Sequence, residues 1–280
     1  MIDHIRKKPY SACPARFSEA FLDWGATLVL DRTHGGLGNK HPICDVAIVG
    51  GAFDPPHVGH LLMGLGALSL GFASKIWFVP SPDRPDKVMT RNFGERLELV
   101  EILCCLLDDA NRNDFVVSSC EKDLGVFRGS LFLMRTLFKE NPGLVFGFVM
   151  GQDTFCKMSS WNDPLTGELT GSDFQKLIPS LVYGRPGGGS HQGDPEVQVS
   201  RPVTHWPKTF YSCPDLDSVA ATHGLTARIN LGSSGTSSKL GGYSKLSSTL
   251  IRQALLQDPI DETFLKWAVG NRLLERLRRK

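Results

Sequence analysis

The sequence predicts an α/β fold, a parallel sheet with helices on both faces, and three observations carry that expectation. From Val46 onward, apolar runs of strand length alternate with longer segments whose apolar residues recur at helical spacing. The runs are apolar throughout rather than at every second position, as strands covered on both faces must be. The first of them ends in a glycine turn that opens a helix, VAIVGGAFDPPHVGH over residues 46–60. Sheets of this kind keep their ligands beyond the carboxyl ends of the strands, where His57 and His60 then fall.

In chain order, residues 1–43 read as an N-terminal extension, with a short helix suggested by Phe17, Ala20, Phe21 and Trp24 and a brief strand over 27–30. The main domain then runs over 44–280. Helices are expected over 60–72, 95–107 and 130–139, from about 152, and over 174–177; strands over 76–79, 115–118, 144–150 and 180–183. Residues 186–245 lose this regularity and are rich in Gly, Ser, Pro and His. They read as long surface loops, at about 188–245, around one core strand over 226–231. A helix follows, starting at Ser247 or Ser248 and passing through Ala254 and Leu255.

Composition excludes more than it selects. A net charge of +2 in 280 residues demands no nucleic-acid partner, and the basic run at Arg272, Arg276, Arg278, Arg279 and Lys280 reads as a solvated helix face. Seven cysteines, at 13, 44, 104, 105, 120, 156 and 213, show no Cys-x-x-Cys pair and no zinc spacing, so reduced thiols in a cytoplasmic compartment are expected. No apolar run reaches the length of a membrane span and no secretory signal is visible. No Gly-x-x-x-x-Gly-Lys-Ser/Thr is present, which excludes a P-loop kinase.

The chemistry is concentrated in two stretches. At residues 50–60, Gly50 and Gly51 leave room for a ligand to approach the backbone, Pro55 and Pro56 stiffen the bend, and two imidazoles sit at a helix N-terminus. Unpaired backbone N–H groups and the helix dipole make that place an anion site, so the histidines read as phosphate handling. At residues 246–252, LSSTLIR, the hydroxyls of Ser248 and Thr249 share the first helical turn with Arg252. Read alone this is a good N-cap; read with the first stretch it is a second oxyanion cradle.

Together the two stretches resemble the HxGH class of nucleotidyltransferases, and within it the bacterial-type nicotinate or nicotinamide mononucleotide adenylyltransferases. The likeness rests on GGAFDPPHVGH (50–60), FVPSPDRPDK (78–87), VMGQDTFCKMSSW (149–161), VYGRPG (182–187) and SSTLIR (247–252), in the family's order. It implies a Rossmann-like nucleotidyltransferase fold and the transfer of an adenylyl group from ATP to NMN or NaMN, releasing pyrophosphate, with Mg2+ bridging the ATP phosphates. By resemblance His57, His60 and Arg252 are the catalytic residues. Gly50, Gly51, Phe53, Lys87, Gly151, Asp153, Ser247, Ser248 and Thr249 would bind ATP, Asp153 through its ribose. Trp161 would stack on the pyridine ring, and no side chain is expected to bind metal directly.

Asp153 is also a natural first-turn residue and Trp161 a natural core residue. The chain departs from the family at Pro85-Asp86-Lys87, where Pro-His-Lys is usual, and at Leu131-Phe132-Leu133, where a Ser-Tyr-Thr run helps bind the nicotinate carboxylate. The amide is therefore expected to be accepted at least as well as the acid. Transfer to phosphopantetheine, FMN or an alcohol phosphate, and a nucleotide sensor without catalysis, are the alternatives. The expected partners are ATP and a pyridine mononucleotide, without nucleic acid or membrane; an oligomer is left open.

Overall fold

Val46, Ile48 and Val49 are β-branched residues that suit a pleated strand, and they form the middle of β1 (Cys44–Gly51). The computed structural model describes residues 42–107, 112–183, 210–213 and 246–279. Within them β1 is followed by α1 (Val58–Ser69), β2 (Ala73–Pro80), α2 (Phe93–Cys104), β3 (Phe115–Val117), α3 (Cys120–Asp123) and α4 (Ser130–Glu140). Then come β4 (Phe146–Gly151), α5 (Gln152–Cys156), a 3-10 turn at Met158–Ser160, α6 (Gly171–Leu177), β5 (Ser180–Tyr183) and β6 (Phe210–Cys213). Helices α7 (Ser248–Leu255), α8 (Glu262–Val269) and α9 (Asn271–Arg278) close the described chain.

The strands form one sheet in the order β3-β2-β1-β4-β5-β6, and every neighbouring pair is parallel. The chain builds outward from β1 through β2 to β3, then returns to add β4 on the other side of β1. That reversal opens a crevice at the carboxyl ends of β1 and β4. The pleat of β1 divides the interior into two cores. Ala47 and Val49 join Leu61, Leu62 and Leu65 of α1, Leu99 and Leu103 of α2, and residues of α7, α8 and α9. Val46 and Ile48 join Leu133, Met134 and Leu137 of α4 with Phe174 of α6. The Rossmann-like fold with helices on both faces is therefore as expected.

Element ends differ from expectation for local reasons. Helix α1 starts at residue 58, because His57 already has extended backbone as its N-cap, and it stops at 69 because Gly71 turns to φ 68°. Helix α2 starts at 93, where Asn92 and Glu95 form a reciprocal capping box with bonds of 3.0 and 3.1 Å. The short α3 and the Asp261-capped α8 lack a signal long enough to stand out by periodicity.

One expectation needs correction. Residues 188–245 contain a strand at Phe210–Cys213, paired with β5 so that Ser180 lies opposite Phe210. A four-residue strand ending just before Pro214 is too short to show a period, and its backbone ladder comes from β5. The strand expected over 226–231 and the extension's elements lie outside the described residues.

Candidate active site

Gly50 and Gly51 end β1 opposite Val79 and Pro80 of β2. They serve different purposes. A Cβ on Gly50 would lie 3.0 Å from the Phe148 ring of β4, so its small size answers to packing, whereas at Gly51 the nearest atom would be the Phe53 ring at 3.7 Å. Phe53 is buried with φ 49°, and its ring centroid lies 4.8 Å from that of His60. Such a φ costs a non-glycine residue some strain, and the turn from strand to helix is where the chain accepts it.

The two histidines open α1 as a pair. The backbone N–H of His57 donates to Nδ1 of His60 at 3.1 Å, and the ring centroids are 3.8 Å apart. Accepting at Nδ1 leaves the neutral His60 imidazole with its proton on Nε2, a donor. His57 is 6% exposed, so one imidazole is enclosed while its neighbour is only half-buried.

The second stretch folds directly against the first. Ser247 caps α7 by accepting from the Leu250 N–H at 3.2 Å. One residue on, Ser248 Oγ donates to the Pro55 carbonyl at 2.7 Å. The Arg252 guanidinium donates to the Asp54 carbonyl, and its Nη2 donates to Thr249 Oγ1 at 3.1 Å. On one face of α7, Thr249 and Arg252 are thus bonded to each other, and Ser248 and Arg252 each join the turn that carries the histidines.

Asp54 is the junction of this arrangement. Its carboxylate, 1% exposed, accepts from the Thr90 N–H at 2.6 Å, from the Thr90 hydroxyl at 2.7 Å and from Arg91 Nη1 at 3.1 Å. Burial opposes its ionisation, but the Thr90 and Arg91 bonds prevail and hold the carboxyl below its usual range. The loop of residues 81–92 is thereby tied to the motif, and it carries Lys87. Partial desolvation depresses the Lys87 ammonium, and the Arg84 and Arg252 charges press the same way against Asp54 and Asp86. Lys87 therefore shares the electrostatic environment of Arg252.

Arg96 is the residue that sequence reasoning missed. It is fully buried; Nη1 donates to the carbonyls of Ala52 and Ser81 at 2.8 and 2.7 Å, and Nε to that of Arg91 at 3.2 Å. The available signal was its position at the head of the apolar stripe Leu99, Val100 and Leu103. Gly151 ends β4 opposite Tyr183, and Asp153 lies in the first turn of α5 beyond it. Trp161 lies further along the chain, past α5. It follows the 3-10 turn, packs against the second core and meets Phe174 edge-on at 5.2 Å. Among the described residues no group of three or more His, Cys, Asp or Glu side chains could hold a metal ion, and no helix is long and apolar enough to cross a membrane.

This geometry can be set beside known proteins. A probable nicotinate-nucleotide adenylyltransferase from Exiguobacterium sibiricum is 30% identical over 146 residues, 51% of this chain and 69% of that protein. One of the same description from Bacillus cereus is 29% identical over 160 residues, 56% of this chain and 78% of the relative. The solved Plasmodium falciparum nicotinic acid mononucleotide adenylyltransferase complexed with NaAD has a TM-score of 0.59 and 19% identity, covering 83% of this chain and 94% of its own, a likeness of fold. The model of the cytidylyltransferase-like family matches residues 48–254, which span the HxGH turn and most of α7. With the 50–60 turn and the 247–252 stretch inside that match and bonded to each other, the chain belongs to the cytidylyltransferase-like family of HxGH nucleotidyltransferases.

Proposed function

We propose that this protein transfers the adenylyl group of ATP to a pyridine mononucleotide, NMN or NaMN, forming the dinucleotide and pyrophosphate. The observation that carries this reading is the bonding of Ser248 and Arg252 to the carbonyls of Pro55 and Asp54, which gathers two imidazoles, two hydroxyls and a guanidinium at one helix N-terminus. A phosphate oxygen of the mononucleotide attacks the α-phosphorus, and the bond from that phosphorus to the pyrophosphate oxygen breaks. His57 and His60 donate to the ATP phosphates as negative charge moves to the leaving group. Ser248, Thr249 and Arg252 hold the β- and γ-phosphates, Ser247 caps the helix at the edge of the ATP site, and Lys87 approaches from the 81–92 loop. Positioning and charge stabilisation suffice for such chemistry.

Mg2+ is assigned to the substrate, carried on the ATP phosphates, since it usually binds through substrate phosphates and water rather than a protein cage. Asp153 is assigned to the adenosine ribose, and Gly50, Gly51, Phe53 and Gly151 to the walls of the ATP site. Trp161 is assigned to the pyridine ring, for which a partly buried aromatic at the edge of a core is suited. The pyridine acceptor is supported by the descriptions of the relatives.

The test is pyrophosphate release from ATP and Mg2+ with NMN, NaMN, phosphopantetheine or FMN as acceptor. Turnover with either pyridine mononucleotide is expected; turnover confined to another acceptor overturns the assignment, and ATP binding without any turnover points to a sensor. His60→Ala should lower kcat by about a hundred- to a thousandfold while the melting temperature changes little. An active variant would remove His60 from the mechanism.

A further inference from the structure

Two residues beyond Trp161, Asp163 forms an ion pair that the adenylyl-transfer reading leaves unused. Its carboxylate is 6% exposed, and Oδ2 accepts from Nε and Nη2 of Arg128 at 2.9 and 2.5 Å. Oδ1 accepts from the Leu165 N–H at 2.9 Å. The guanidinium lies over the Phe132 ring, 4.3 Å from its centroid, which fixes its plane from the other side. Arg128 leads into Gly129, φ 82°, and a Cβ there would lie 3.4 Å from the Asn162 carbonyl. The Trp161–Asp163 segment therefore runs in contact with the chain that enters α4. That helix opens with Ser130-Leu131-Phe132-Leu133.

A guanidinium beside an aromatic ligand pocket is by itself a carboxylate receptor, because its planar donor fork matches two oxygens. Here a resident carboxylate already occupies part of that fork. We propose that Asp163 sets the selectivity of the mononucleotide site for the group on the pyridine ring: by pairing with Arg128 it silences the cation held two residues along the chain from Trp161, so that a neutral carboxamide is accepted alongside a carboxylate. This rests on the assignment of Trp161 to the pyridine ring. Removing either charge exposes the other, and the two exposures act in opposite directions. A free Arg128 attracts the acid mononucleotide, and a free Asp163 repels it. A pair serving only to brace the loop would instead weaken both substrates together when either partner is lost.

The experiment compares kcat/KM for NaMN and NMN in the wild type, Asp163→Asn, Arg128→Gln and the double variant, by pyrophosphate release. Asparagine keeps an acceptor for the Leu165 N–H and removes only the charge. In Asp163→Asn the acid-to-amide ratio should rise about fivefold, as expected for one partly exposed charge left without its partner. In Arg128→Gln it should fall about as far, and in the double variant it should return to within about twofold of the wild type. Should Asp163→Asn fail to fold, the fall in Arg128→Gln carries the test alone. A wild type active on both substrates whose ratio moves in neither single variant, or moves the same way in both, overturns the selectivity role and leaves adenylyl transfer standing. A wild type inert to both mononucleotides overturns the acceptor assignment itself, and the selectivity role with it.

Discussion

Glu121 of α3 is a carboxyl group with almost no contact with water, 6% exposed. Burial pushes its pKa up to about 7, with the Arg84 charge opposing only in part. Between the ordinary carboxylate value and about 7 the folded protein holds a proton that the unfolded chain has lost, so this group withdraws stability as pH rises through that window. The full effect is about 3 kcal/mol. Glu121→Gln should therefore gain stability at pH 8 and little at pH 4, measured by urea unfolding at both; equal gains would contradict a buried titrating carboxyl. Asp54 has the opposite sign: its depressed pKa contributes stability above the usual carboxylate range that is lost as pH falls through the folded value. His57 and His60 were legible from sequence because their spacing is local. Glu121 and Arg96 were not, because the burial of a charge depends on segments that fold over it from elsewhere.

Helix α2 shows how an element positions a site without entering it. Arg96 holds the carbonyls of Ala52, Ser81 and Arg91 at once, and so joins the end of β1 to both ends of the loop that carries Lys87. Its Nη2 also lies 3.6 Å from Asp83. Arg96→Met keeps the apolar stem and strands buried carbonyls without donors, which should cost about 3 kcal/mol. A lower urea midpoint with an unchanged slope would report this, and an unchanged midpoint would show that water replaces the guanidinium. The apolar runs of β1, β2, β4 and β5 were legible because their partners on both faces are apolar. β6 was hidden because its identity lies in the β5 backbone it pairs with, not in its own four residues.

For the whole molecule, sheet order and the meeting of distant stretches lie outside what periodicity can say. The HxGH turn and the Ser-Ser-Thr-Leu-Ile-Arg stretch were each visible, but the bonds from Ser248 and Arg252 to Pro55 and Asp54 exist only once the sheet has closed around β1. If those groups hold ATP, nucleotide binding should stabilise the entire fold. ATP at a hundred times its Kd adds about 2.7 kcal/mol, a rise in Tm of about 5 to 10 °C for a chain of this size. Arg252→Ala should lose most of that rise in a thermal-shift assay, and a rise that persists would place the phosphates elsewhere. The separation of the two cradles also sets a timetable during synthesis. Ser248 lies 193 residues beyond Pro55, so at about 5 to 20 residues per second the histidine turn leaves the ribosome about 10 to 40 s before its partner helix does. A growing chain can present both imidazoles long before Ser248 and Arg252 reach the carbonyls of Pro55 and Asp54, and interrupted translation products that end ahead of α7 would leave that turn without its partner.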